Sequence, residues 1–325
     1  TLKGDIVITA DDNAASSITF AASSTIDSDS TARSLKLDTD GGAIVLNGAI
    51  GATTNGALSS LTINGPDDGK GAGDIDVANI GGNTVGVTGA TVIGNTNTDD
   101  LVLDGTVYKT TGAQTYTAAS GDKILVGTTN NAVAFNTANA NVSFNTSDVK
   151  LASGANLTVD TDSGSTGTIT FGGSIHGTGN TAALVTDITS LDGGTAAVTV
   201  NAIDSNIEDI TITGPTTIKG NITTASDGVI SITGNTTIFG DITIDTKTGG
   251  GANVTIDGTL TANATSDDLD IDAGTGTIEI TGDIAGSGGT AFNTIDLNAV
   301  ASGSSDGTTV GGVTLGGDIG TANAA

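Results

Sequence analysis

The sequence predicts an all-β protein: a right-handed parallel β-helix of about 20 residues per turn, continuous over residues 1–325. Three observations carry this: a direct repeat of about one turn, a glycine-centred corner that recurs along the chain, and a composition that favours strands and tight turns over helices.

The repeat lies between residues 210–223, ITITGPTTIKGNIT, and 230–243, ISITGNTTIFGDIT, with ten of fourteen positions identical. Self-similarity at this short period, in runs of alternating Ile and Thr, marks units that each cover the apolar face of the next. At about 20 residues per turn and about 4.8 Å between stacked strands, the chain would make roughly 16 turns in a rod of about 75–80 Å.

The corner reads apolar, variable, Gly, polar or small, apolar. It occurs as Leu2-Lys3-Gly4-Asp5-Ile6, Ile218-Lys219-Gly220-Asn221-Ile222, Ile238-Phe239-Gly240-Asp241-Ile242, Ile256-Asp257-Gly258-Thr259-Leu260, Ile280-Thr281-Gly282-Asp283-Ile284 and Leu315-Gly316-Gly317-Asp318-Ile319. Glycine permits the positive φ of a sharp bend, and a neighbouring Asp or Asn can bond back to the local backbone. The flanking apolar residues then point inward on both sides of the bend.

Composition agrees. There are 50 Gly and 59 Thr but 2 Pro, and the acidic residues are 34 Asp against only Glu208 and Glu279. Glu favours helices, whereas Asp competes with the backbone and prefers turns. Ordered alternation such as Asp5-Ile6-Val7-Ile8-Thr9, with 36% hydrophobic residues overall, separates the chain from a disordered Gly/Ser/Thr/Asp polymer. Most of the six Phe are expected in the core or under loops.

A formal charge of −27 argues against nucleic acid and anionic membrane as partners, and favours divalent cations. No Cys is present, and no apolar run approaches the roughly 18 residues of a membrane span. The chain starts at Thr1 with no leader pattern, which reads as a processed or excerpted chain, and it carries the corner motif near both ends, so either an excerpt of a longer array or ends that join other copies is expected. Residues 96–150 thin the corner rhythm and hold both Tyr108 and Tyr116, which reads as irregular rungs or an insertion.

Runs such as Gly42-Ala43-Ile44-Val45-Leu46-Asn47-Gly48-Ala49-Ile50 and Gly276-Thr277-Ile278-Glu279-Ile280-Thr281-Gly282-Asp283-Ile284 resemble the secreted β-strand-repeat surface proteins, the filamentous-haemagglutinin-like adhesins and autotransporter passengers. The resemblance implies a β-solenoid at the bacterial surface, with surface glycans among the expected partners.

Candidate chemistry is sparse. His176 and Arg33 are the single His and Arg, and His176, in Gly-Gly-Ser-Ile-His-Gly next to an expected corner, reads as an exposed or turn histidine without a nucleophile motif beside it, so no catalytic residue is assigned. For calcium, Asp67, Asp68, Asp74 and Asp76 flank a Gly-rich turn, and Asp268, Asp270 and Asp272 alternate so as to share one strand face. A solvated acidic surface is the plainer reading of both groups. Thr-x-Thr pairs at Thr168/Thr170 and Thr211/Thr213 are too irregularly spaced in sequence to predict a regular hydroxyl array. The functional expectation is a non-enzymatic extracellular filament, sheath or surface-layer subunit that stacks end to end. A glycan-binding adhesin stalk is second, and a polysaccharide-active β-helix enzyme third.

Overall fold

The computed structural model describes residues 1–10, 16–65, 73–162, 166–179, 187–204, 206–284, 290–299 and 311–320. Among them the fold is all-β: short parallel strands, one 3₁₀ turn at Thr248–Gly250 and no α-helix. The strands stack as a β-solenoid of about ten turns, with equivalent strands about 26 residues apart.

Each full turn visits three faces. One turn runs through Val142–Asn145 on the first face, Asp148–Leu151 on the second and Asn156–Asp160 on the third, then rejoins the first at Ile169–Phe171. The first face is an eleven-stranded ladder from Ile6–Ala10 to Leu260–Ala262. The second holds ladders of seven and four strands, linked through single bridges at Ile203 to Ile175 and Ile222. The third is nine-stranded from Val107–Lys109 to Val313–Leu315. Before that, the chain of bridges Ile26–Ile50–Ile80–Tyr108 marks it.

The turn is longer than the sequence repeat implies. Residues 210–223 and 230–243 do stack at a spacing of 20, pairing Ile210 with Ile230 and Thr216 with Thr236. They belong to the tightest part of the coil. Spacings range from 18 residues, between Val198 and Thr216, to 35, between Ile284 and Ile319. The extra length lies in corner loops, which do not alternate and leave no strand signal. About ten turns at about 4.8 Å make a stack of about 48 Å, not 75–80 Å.

Inward side chains form continuous rows. On the third face Tyr108, Phe135, Val159, Leu191, Ile212, Ile232, Ile256 and Ile280 follow one another in register, all buried. Residues 96–150 contribute strands from Leu101–Leu103 to Asp148–Leu151, paired in register with the turns on either side. Their aromatic rings build a core stack: Tyr108 on Phe135 at 4.6 Å, Tyr116 on Phe144 at 5.2 Å and Phe144 on Phe171 at 4.8 Å. The chain's one Gln is buried there. Gln114 Nε2 donates to the carbonyls of Tyr108 and Asn136, and its Oε1 accepts from Tyr116 Oη. Phe20 and Phe292 pack partly against the core, but Phe239 is 47% exposed.

The corner glycines work differently from the positive-φ expectation. Of the motif glycines, Gly240 and Gly258 have positive φ. At Gly282 and Gly220 the constraint is proximity, since a Cβ would clash with the backbone of Gly258 or Ala202 in the turn below. Some Asp side chains bond back to their own loop, as in Asp162→Asp160, Gly194→Asp192 and Gly274→Asp272, but those of the corner motif bond to the neighbouring turn. Their Oδ1 accepts the backbone N–H at the equivalent position one turn on, as in Ser34→Asp5, Thr168→Asn141, Ser174→Asp148, Val229→Asp209, Thr277→Asn253 and Asp318→Asp283, at 2.8–2.9 Å. These N–H groups sit where the chain bends and need a partner from outside the regular ladder. The one-methylene side chain of Asp or Asn spans the gap between rungs, whereas Glu and Gln carry an additional methylene. This inter-turn role, together with local turn bonds such as Gly194→Asp192 and Gly274→Asp272, favours Asp over Glu along the chain.

Candidate functional site

The acidic residues singled out in the sequence fall in two separate places. Asp74 and Asp76 lie at strand Ile75–Val77 on the second face, while Asp67 and Asp68 lie outside the described residues. Asp76 Oδ1 is buried with no hydrogen-bond partner among the described residues, as is Asp104 Oδ1. Burial first, and then the negative charge of Asp104, push the Asp76 carboxyl above its ordinary range.

Asp268, Asp270 and Asp272 do share the outward side of their strand, with Leu269 and Ile271 buried between them. Register places Asp270 between Thr243 and Asp296, and Asp272 between Asp245 and Asn298. Asp268 accepts from Thr294 Oγ1 at 2.7 Å and Asn293 Nδ2 at 2.9 Å, which hold its carboxyl below the ordinary range. Asp272 pairs with Lys247 Nζ at 2.7 Å. Asp270 is pushed up by burial and then by the charges of Asp296 and Asp272. Asp241, Asp270 and Asp296 help line a shallow concavity of about 240 Å³. Among the described residues, no three His, Cys, Asp or Glu side chains converge as a metal centre.

His176 lies on strand Ile175–Gly177, on the second face, and not in a turn. Its ring bridges two carboxylates on neighbouring turns, Nδ1 to Asp204 at 2.8 Å and Nε2 to Asp148 at 3.3 Å. Asp204 also accepts the N–H of Gly177 and Asn206, and Asp148 that of Ser174. The three side chains form a polar clamp between rungs.

The larger concavity was not legible in the sequence. A groove of about 430 Å³ opens on the first face, with Val92 and Thr115 on its floor, the loop Gly94–Asn97 as one wall and Thr117, Asn145 and Thr146 completing it. The loop is braced from below. Asn64 Nδ2 donates to Thr98 Oγ1, Asn95 Nδ2 to the Gly65 carbonyl, and the Asn97 N–H to Asn95 Oδ1. No lining side chain carries a charge.

From this groove an outward row of hydroxyls runs along the first face: Thr115, Ser143, Thr170, Thr199, then Thr217, Thr237 and Thr261. Irregular sequence spacing hid this array. Loops of variable length absorb the irregularity, and the strands return to register. Beside the row, Lys219 Nζ lies 5.5 Å from the exposed Phe239 ring.

No family model matches the chain, and no match was found among curated proteins or solved structures. What stands of the resemblance to surface adhesins is the parallel β-solenoid itself.

Proposed function

We propose that this protein is a non-enzymatic structural element, a segment or subunit of an extracellular filament, sheath or surface layer built by end-to-end stacking of β-solenoids. The observation that carries the reading is the state of the terminal turns. Ile8 is 36% exposed at one end of the ladder, and Val313 and Ile319 are 43% and 66% exposed at the other, although the residues they stack on, Leu37, Ile278 and Ile284, are buried. These are side-chain types that the turns between them bury. A parallel ladder is also polar along its axis, so the strand edges at one end complement those at the other. A head-to-tail contact of this kind repeats without closing.

The acidic second face limits side-by-side contact, and calcium bridging Asp270 and Asp296 to another copy would relieve that limit. Cryo-electron microscopy of the purified chain with and without millimolar Ca²⁺, paired with sedimentation over a concentration series, tests the proposal. Filaments with an axial repeat near about 50 Å are expected. A protein that stays monomeric at high concentration in both conditions would sink it.

A second reading, a stalk that presents residues 96–150 to a glycan or surface, is favoured by the groove, whose lining residues run from Val92 to Thr146. These residues also supply the buried Tyr108, Tyr116, Phe135 and Phe144, so the test calls for surface substitutions, because a deletion would open the core.

A further inference from the structure

The first face differs from the rest of the molecule in charge. On a chain of formal charge −27, its groove is lined only by Val, Gly, Thr and Asn. The hydroxyl row leads away from the groove along the solenoid axis, one group per turn. Five rungs beyond Thr115, about 24 Å away, stands Phe239, 47% exposed, its ring partnered by Lys219.

We propose that this face binds an uncharged polysaccharide strand laid along the axis, with one end seated in the Val92–Thr115 groove. The proposal rests on the second reading above and gives it a ligand class. The chemistry fits on three counts. A pyranose ring has an apolar C–H face and a hydroxylated rim. The groove answers with Val92 and threonine methyls on the floor, and with amides of Asn97 and Asn145 at the edge. The row then offers a donor and acceptor at each rung, so a polymer with a short chemical repeat meets the same group again and again. Phe239 provides a flat apolar ring for stacking at the far end. An anionic polymer, by contrast, would approach against the field of the whole chain. The braced loop 94–98 means that the groove is formed before the ligand arrives, which reduces the ordering cost of binding.

The test is affinity electrophoresis and calorimetry of the full chain against mixed-linkage β-glucan, galactomannan and dextran as neutral probes, with alginate as the anionic comparator. Wild type is compared with Thr115→Glu, Thr115→Val, Phe239→Ala and a control, Thr211→Glu, on the outward side of the third face. Retention by at least one neutral polysaccharide is expected, with none by alginate. Thr115→Glu should weaken that binding by about tenfold or more, since it desolvates a carboxylate against the ligand. Thr115→Val, which keeps the shape and removes the hydroxyl, should give a smaller loss in the same direction, so a folding defect in the Glu variant would not hide the answer. Phe239→Ala should shorten the bound length, read as lost preference for longer oligosaccharides.

Three results would overturn the assignment. If alginate binds and Asn97→Ala abolishes it, the middle turns still carry a glycan surface but the neutral axial reading fails. If no polysaccharide binds, both readings fail. If the chain pairs with itself in a way that Thr170→Glu prevents, the face is a lateral contact between copies.

Discussion

Asn79 offers a direct test of the idea that Asp and Asn hold the turns together. Its Oδ1 accepts the backbone N–H of Thr106 at 2.7 Å and that of Val107 at 3.1 Å, both in the next turn, and also lies 3.3 Å from Thr106 Oγ1. Replacing Asn79 with Ala leaves two backbone donors to find water at a half-buried bend. A net contribution of about 0.5–1.5 kcal/mol per hydrogen bond gives a loss of about 1–3 kcal/mol. The loss is local, because each turn contacts chiefly its neighbours. Native-state hydrogen exchange is therefore the sharper assay. The amides of Thr106 and Val107 should exchange about 5- to 150-fold faster in Asn79→Ala. Ile230 and Ile232, many turns away, should keep their protection. Asn79→Asp, which keeps an acceptor at the same reach, should restore most of the protection, while Asn79→Gln, with one methylene more, should not. Unchanged exchange in Asn79→Ala, or full rescue by Gln, would refute the claim that the short side chain carries the inter-turn bond.

Two further predictions concern stability. Phe144, wholly buried between Tyr116 and Phe171, should cost about 3–5 kcal/mol when truncated to Ala and clearly less as Leu, followed in denaturant by the fluorescence of the adjacent Tyr116. Equal losses for the two variants would mean that the aromatic stack is incidental. Asp76 carries a pH signature. Its folded carboxyl is raised, so folding is penalised once the carboxyl ionises, fully above the folded pKa, and the penalty disappears as pH falls below the ordinary value of 3.8. Asp76→Asn should therefore raise the melting temperature at pH 7 and have little effect at pH 3. A gain of equal size at both pH values would assign the effect to packing instead of charge.

What the sequence made legible was whatever lives within one strand. The alternation Asp268-Leu269-Asp270-Ile271-Asp272 placed three carboxylates outward, and they are outward. The matched segments at 210 and 230 named a true stacked pair, since Ile210 does lie on Ile230. Extending their 20-residue spacing to the whole chain failed, because the spacing belongs to short corners and most corners are longer. His176, read as an exposed or turn residue beside a corner, is partly exposed but lies on a strand, clamped by carboxylates 28 residues away on either side in sequence. Nothing near His176 in the sequence signals Asp148 or Asp204.

The inter-turn bonds suggest why such a simple composition can specify so regular a coil. A parallel stack of Ile and Val rows resists a one-residue slip, which would turn the row outward, but not a two-residue slip, since one aliphatic side chain fits the row about as well as another. Corner loops ranging in turn length from 18 to 35 residues make register harder still to fix by loop geometry. An Asp or Asn directly before the inward residue, as in Asp5-Ile6, Asn141-Val142, Asp209-Ile210 and Asn253-Val254, removes the ambiguity, because its short side chain reaches only the N–H groups at the matching bend of the next turn. Register is then set once per corner by a polar contact, and the loops are left to vary. On the first face these bonds come from Asp5, Asn141 and Asn235, and between the last two the outward row is all hydroxyl, from Ser143 to Thr237. Register on that stretch is thus set by neutral amides, which keeps carboxylates off the surface along which we propose an uncharged partner lies.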